Sequence, residues 1–381
     1  MPKYIYEYKK WTDFTWQETA INAVFGEVRN LQGKIIGQMN ALGFAGKEEA
    51  TLTTLTLDVV KSSEIEGEKL DFQQVRSSIA RRLGINAAGL VPVGRYVEGV
   101  VEMMLDATQN YQKPLTNSRL FGWHSALFPA GYSGAHKIEV GRYRSGEMQI
   151  VSGAMGKEKL HYEAVPAKKV KAEMDKFLKW FNDASKKNKG KKSAKGVRNS
   201  NAIDPVIKAA IAHFWFIIIH PFDDGNGRIA RAISDLMLAR SDASAERFYS
   251  MSSQILIELK KYYEILQKVQ HSSGDITPWL DWFLNCLKKA LIATEKTLKK
   301  IWKKNEFWKK HENTALNERQ RLVLNKLFDN FEGKLKTSKW AKMAKCSTDT
   351  ALRDIKDLME KGILRQDEQG GRSTHYELSE F

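Results

Sequence analysis

The chain is 381 residues long and 42% hydrophobic, enough to bury a full core and to hold two or three structural units. Its 61 basic against 45 acidic side chains give a net charge of +16, which favours acidic partners, nucleic acid among them. Two cysteines, Cys286 and Cys346, argue against a disulfide framework; residues 1–10 lack a signal-peptide core and no run is long enough to span a membrane, so a cytoplasmic protein without membrane contact is expected.

In chain order, the first informative element is a helix over residues 48–65, with Gly67 as a stop just past it. Ser62 and Glu66 are four apart and share a face. Glu66 falls in the last turn, where the helix dipole disfavours a carboxylate, so it calls for a cation from elsewhere in the chain. Residues 141–153 are glycine-bounded and rich in strand formers, and predict a short β-hairpin that includes Met148, Ile150 and Val151. A helix over 170–181 and a Lys/Gly/Ser-rich solvated loop over 186–198 follow.

Residues 209–219 form an apolar stretch too short for a bilayer and predict a buried core helix ending at His220. Pro221 forbids its continuation, and Gly225 and Gly227 permit a tight loop. Ile229, Ala230, Ile233, Leu236, Met237 and Leu238 then recur at helical spacing, so the amides of Gly225 to Arg228 point out of a helix N-terminus, an anion-binding arrangement. Asp224 is a hard oxygen ligand suited to Mg²⁺ beside phosphates. Arg228 and Arg231 lie three apart on one face, where guanidiniums can grip phosphate oxygens. His220 is the loop's one group with an unperturbed pKa near neutrality, hence the natural proton acceptor. The set reads as nucleotidyl or phosphoryl transfer. His124 and His213, in apolar helical stretches, read as core groups, and no histidine shows zinc-site spacing.

These residues match H-x-F-x-[D/E]-G-N-G-R-x-x-R at every fixed position, and the segment thereby resembles the Fic family. The resemblance implies an all-helical core that moves AMP from ATP onto a Ser, Thr or Tyr hydroxyl of a target protein. Carried over, His220 would deprotonate the hydroxyl, Asp224 would hold Mg²⁺, and Asn226 with the amides of Gly225 and Gly227 would stabilise the α-phosphate. Arg228 would contact the β-phosphate and Arg231 the γ-phosphate, with Phe222 an anchor in the core. The segment Ser62 to Gly67 resembles the inhibitory motif [S/T]-x-x-x-E-[G/N], in which Glu66 would pair with Arg231 and occupy the γ-phosphate's place. Residues 141–153, with their G-x-Y-R start, resemble the flap that aligns a target segment by strand addition. Residues 4–16 and 18–42 resemble the helical segment that precedes this inhibitory motif in one subgroup. Tyr262 and Gln270 stand where relatives carry a Tyr and an Asn against the adenine, with Gln in place of Asn.

Farther on, residues 296–310 hold seven lysines with Ile301, Trp302, Phe307 and Trp308 interleaved, and predict an amphipathic helix whose aromatics pack on a neighbour. Helices are then expected over 317–331, 337–344 and 348–361, with Asn317 and Ser347 as N-caps and Gly362 as a stop. Strands at 363–365 and 374–378 flank a Gly370-Gly371 turn. This order resembles a winged helix-turn-helix. On DNA, Thr348, Thr350, Arg353 and Lys356 would face the major groove and Arg372 a phosphate, although Asp349, Asp354 and Asp357 weaken the basic face.

The expected architecture is mainly α: a helical region at 1–90 carrying Glu66, a Fic-type core with a β-hairpin flap at 91–290, a basic connector at 291–315, and a winged helix-turn-helix at 316–381. The expected function is adenylylation of a target protein, and of itself, with Mg-ATP, restrained by Glu66. Transfer of another nucleotide or a phosphoryl group, removal of AMP, or DNA-binding regulation with a nucleotide-sensing site remain alternatives, and a homodimer is compatible with the chain.

Overall fold

The computed structural model describes residues 2–41, 44–87, 89–152, 159–183, 203–331, 333–367 and 374–379. The basic loop expected at 186–198, Gly153, the Gly370-Gly371 turn and Arg372 lie outside these residues. The chain forms two compact units, Met1–Glu295 and Lys296–Phe381.

The first unit opens with a 3-10 turn, Ile5–Glu7, followed by α1 (Glu18–Ala41), α2 (Phe44–Ile65), α3 (Phe72–Leu83), α4 (Arg95–Gln109) and α5 (Asn117–Leu127). Two hairpins come next, β1 (Tyr132–Ser133) with β2 (His136–Lys137) and β3 (Gln149–Ser152) with β4 (Lys159–Glu163), both antiparallel. Then follow α6 (Ala167–Asn182), α7 (Pro205–Ile219), α8 (Asn226–Asp242), α9 (Met251–Ile257), α10 (Leu259–Val269) and α11 (Thr277–Lys310), which runs past the unit boundary.

Apart from Lys208 near its start and the buried His213, helix α7 is apolar, the pattern of a helix covered on nearly all sides. Phe214, Phe216 and Ile219 are fully buried there. Asp204 caps its start by accepting from Val206 N–H at 2.8 Å, and Pro205 sits where a missing amide costs nothing. It packs directly against α8, and α2 lies against α3, α8 and α9. The junction expected near residue 90 falls inside this unit, between α3 and α4, and α4 packs on both α3 and α8. Asp58 of α2 accepts from Ser250 Oγ at 2.5 Å and from Ser252 N–H at 3.2 Å, so α2 is docked by polar contacts as well as by its apolar face.

The flap hairpin differs from its expected place. Residues 141–148 are not strand; Gln149–Ser152 pairs instead with Lys159–Glu163, with a bulge between Ile150 and Val151. At Arg144, 3% exposed, the main chain is engaged elsewhere: its N–H donates to Pro221 O at 2.9 Å while its guanidinium donates to the carbonyls of His220 and Gly146. Among the described residues no helix is long and apolar enough to cross a membrane.

The second unit contains α12 (Glu318–Asn330), α13 (Thr337–Ala344), α14 (Thr348–Glu360), β5 (Leu364–Gln366) and β6 (Tyr376–Leu378). Asn317 and Ser347 cap α12 and α14 as expected. The strands pair antiparallel, and Leu335 adds a bridge to Tyr376. Trp340, Ile355, Leu358 and Ile363 form its core with Phe307, whereas Trp302 stays exposed.

Candidate active site

The chemistry-bearing residues converge on one cavity of about 640 Å³ in the first unit, lined in part by Glu66, His220, Asp224, Asn226, Gly227 and Tyr262. That volume suits a nucleotide-sized ligand. His220 is the C-cap of α7 in the left-handed region, with φ 51° and ψ 62°. Histidine tolerates that region better than most residues with a Cβ. The conformation is pinned from outside: Arg144 Nε donates to His220 O at 2.7 Å, and Arg144 N–H donates to Pro221 O at 2.9 Å.

His220 Nδ1 lies 3.2 Å from Ile217 O. A proton on Nδ1 satisfies that carbonyl and leaves Nε2 as the lone-pair acceptor. Burial lowers the imidazole's pKa to about 4, so the ring is neutral at pH 7. A base that is already neutral can take a proton without first losing one.

Phe222 is fully buried and stacks on His124 at 4.3 Å, which anchors the loop between α7 and α8. His124 is a core group in turn, accepting from Gly141 N–H at 3.1 Å on Nδ1. Asn226 spends both ends of its amide on Phe222: Oδ1 accepts from Phe222 N–H at 3.0 Å and Nδ2 donates to Phe222 O at 2.8 Å. Its side chain therefore shapes the loop, and the groups left to meet an anion are the first amides of α8, which no helix can satisfy internally. Gly225, at φ 77°, makes the turn into α8, and a Cβ there would meet the Phe128 ring at 2.9 Å.

Asp224 accepts from Gly225 N–H at 2.5 Å and from the Ser133 hydroxyl of β1. Among the described residues there is no cluster of three or more His, Cys, Asp or Glu that could hold a metal alone. A single carboxylate beside an anion-binding loop still suits Mg²⁺, which keeps several waters and takes further oxygens from substrate phosphates.

Arg228 and Arg231 are 1% and 2% exposed rather than solvated. Arg231 Nη2 donates to Glu66 Oε1 at 2.7 Å and to Ser62 O at 2.8 Å, and Nε donates to Ser62 Oγ at 2.8 Å. Burial alone would depress this guanidinium, but Glu66 beside it leaves its pKa raised. Gly227 makes the approach possible, because a Cβ there would stand 2.2 Å from Glu66 Oε1. The Glu66 carboxylate thus lies against the first turn of α8 as well as against Arg231.

Tyr262 is 2% exposed, and its hydroxyl lies 2.9 Å from His213 Nε2. Gln270 Nε2 donates to His161 O of β4 at 2.9 Å, so the amide tethers the hairpin to the cavity wall. Ile150 and Val151 line the cavity, whereas Met148 sits at the hairpin's base, where its carbonyl accepts from Ala164 N–H at 2.9 Å. Sequence reasoning missed Glu68, Tyr96, Ser133, Arg144 and His161. Of these, Arg144 lay within the quoted G-x-Y-R and Glu68 directly after the quoted Glu66-Gly67; the other three carry no local signal.

The model of the Fic/DOC family matches residues 114–238, and that of a domain of unknown function, DUF4172, matches residues 4–85. Protein adenylyltransferase fic-1 of Caenorhabditis elegans is 27% identical over 245 residues, 60% of this chain and 41% of that protein. Protein adenylyltransferase Fic of Nematostella vectensis is 26% identical over 162 residues, 42% of this chain and 30% of that protein. The chain therefore spans less than half the length of these curated relatives. A Fic family protein from Desulfovibrio desulfuricans G20 shares the fold, with a TM-score of 0.53 and 21% identity over 94% of this chain and 96% of that one. With the motif intact at the start of α8, residues 114–238 match the Fic/DOC family.

Proposed function

We propose that this protein is an adenylyltransferase that moves AMP from Mg-ATP to a Ser, Thr or Tyr hydroxyl of a target protein, in the cytoplasm, and that Glu66 restrains it. The observation that carries the reading is one nucleotide-sized cavity lined by His220, Asp224, Asn226 and Gly227 at the N-terminus of α8, the helix on which Arg228 and Arg231 are buried. The hydroxyl oxygen attacks the α-phosphorus, its proton passes to His220 Nε2, and the bond to the β-phosphate oxygen breaks so that pyrophosphate leaves with the electron pair. The α8 amides face the developing charge. Asp224 would hold Mg²⁺, whose contribution when bound is to neutralise phosphate charge. Arg228 and Arg231 would take the β- and γ-phosphates once freed from their carboxylates. Ile150 and Val151 on β3 would receive the target backbone by strand addition.

Supplying Glu66→Gly protein with ATP labelled at either the α- or the γ-phosphate is expected to label protein from the α position only. Label from γ alone would mean phosphoryl transfer, and loss of label from AMP-modified protein without new incorporation would mean removal.

A second reading, DNA-binding regulation with a nucleotide-sensing site, is favoured by one observation in the second unit. Of the acids that weakened the expected basic face of α14, Asp354 is buried and Asp357, still partly exposed, is neutralised by its neighbours. Asp354 pairs with Arg319 at 2.9 Å and accepts from Asn317 Nδ2 at 2.9 Å; Asp357 accepts from Gln320 Nε2 at 2.7 Å and Lys361 Nζ at 2.6 Å. Thr348, Arg353 and Lys356 are exposed, as are Lys342 and Lys345. We expect labelled duplex DNA to bind with a steep salt dependence, and the double variant Arg353→Ala/Lys356→Ala to flatten the log–log salt slope by about 2. Equal binding by both proteins would remove α14 as a DNA contact.

A further inference from the structure

Gly67 does more than end α2. With φ at 81°, it closes a Schellman turn in which Gly67 N–H donates to Glu64 O and Glu68 N–H donates to Ser63 O, each at 3.0 Å. The turn places one carboxylate just before the left-handed glycine and another just after it. Glu66 reaches Arg231; Glu68 reaches Arg228, the motif's other guanidinium, three residues away on α8.

The second contact is as well made as the first. Glu68 Oε2 accepts from Arg228 Nη1 at 2.7 Å. The hydroxyl of Tyr96, at the start of α4, accepts from that same nitrogen at 2.6 Å and donates to Glu68, closing a three-membered ring of contacts. Arg228 is held from its other side by the Phe128 ring, 5.1 Å from the guanidinium carbon. Glu68 itself is 37% exposed along its side chain, so it can leave toward solvent without unpacking the core.

Charge count explains what the arrangement does. Three carboxylates, Glu66, Glu68 and Asp224, face two guanidiniums, Arg228 and Arg231, while Lys260 and Glu264 on the same cavity offset each other, so the closed cluster is net anionic and opposes a triphosphate. Withdrawal of Glu66 only neutralises it. Withdrawal of both glutamates makes it cationic, the state that suits an anionic nucleotide.

We propose that Glu66-Gly67-Glu68 is a two-carboxylate clamp in which Glu68 withholds Arg228 from the nucleotide as Glu66 withholds Arg231. Its effect on catalysis rests on the adenylyl-transfer reading above; its effect on nucleotide binding does not. Release of Glu66 alone therefore opens the site partway, and full affinity for Mg-ATP needs both carboxylates gone.

The test is calorimetric titration of Mg-ATP into the full chain as wild type, Glu66→Gly, Glu68→Gln and the double variant, with α-labelled transfer followed in parallel. Glu68→Gln keeps the size of the side chain and removes its charge. The double variant is expected to bind Mg-ATP about tenfold more tightly than Glu66→Gly, with KM for ATP lowered to match. Glu68→Gln alone gains less, because Glu66 still blocks Arg231. Glu68→Ala in the Glu66→Gly background is expected to agree in sign, and melting curves establish that each variant is folded. Equal or weaker binding by the folded double variant overturns the clamp and makes Glu68 a support that holds Arg228 in its working place. Tighter binding with no transfer in any variant upholds the clamp and removes the transferase reading; transfer by Glu66→Gly without tightening does the reverse.

Discussion

Replacing Glu66 by glycine is expected to raise AMP incorporation about tenfold or more over wild type at saturating Mg-ATP. On the proposed reading the carboxylate would block two things at once. It holds Arg231 Nη2 at 2.7 Å, and it lies against Gly227 at the start of α8, where a phosphate would meet the helix amides. Its removal also takes the Glu66 counter-charge from Arg231, which is 2% exposed and keeps its bonds to Ser62. A buried guanidinium that loses its counter-charge is costly, so the variant should melt lower than wild type without nucleotide. Mg-ATP supplies the missing charge and should raise its melting temperature by more than it raises that of wild type. The backbone does not confound the comparison, because Glu66 follows the last residue of α2 and its N–H already bonds Ser63 O at 3.0 Å, a geometry glycine can keep. Unchanged activity at saturating ATP, together with an unchanged nucleotide-induced melting shift, would show that Glu66 does not stand in the substrate's place.

What was legible in the sequence was whatever is set by residues close together in the chain. Pro221 and Gly225 fix the loop after α7, the apolar run 209–219 fixes α7 itself, and Asn317 and Ser347 cap their helices where local capping chemistry puts them. The partner of Glu66 was legible through a family pattern and not through physics, since nothing local says which of many cations an acid 165 residues away will meet. Contacts outside any such pattern escaped. Glu68 to Arg228 spans 160 residues, Ser133 to Asp224 spans 91, and Arg144 to His220 spans 76. Strand pairing failed for the same reason: β3 was read, but its partner β4 lies beyond the segment that carried the glycine signals. Asp354 is a different kind of miss, because Ala351, Ile355 and Leu358 mark the buried face of α14 and position 354 falls on it. The periodicity placed that aspartate inside; its charge suggested outside, and Arg319 with Asn317 is what lets the periodicity prevail.

Substituting His220 in the Glu66→Gly background is expected to cost about 10²- to 10⁴-fold in transfer while leaving Mg-ATP affinity within about threefold. The asymmetry follows from the proposed roles: the α8 amides and the arginines would hold the anion, whereas His220 would meet the hydroxyl proton. The choice of replacement matters, because position 220 sits at φ 51° and Ala resists that region more than His does. Asn accepts it readily, so His220→Asn removes the base with the least disturbance of the loop that Arg144 pins, and His220→Ala should agree with it. The pH profile of the parent variant gives an independent reading of the same residue. The base works only when neutral, and burial sets its pKa at about 4, below the ordinary 6.5. Transfer should therefore hold level as pH falls from 8 through 6.5 and decline only as it nears 4. Glu66 itself raises the His220 pKa through its charge, so its absence moves the acid limb further down and not up. Comparable turnover without His220, or an acid limb centred near 6.5, would mean that the proton leaves the hydroxyl by another route or that the ring is far better solvated than its place at the end of α7 implies.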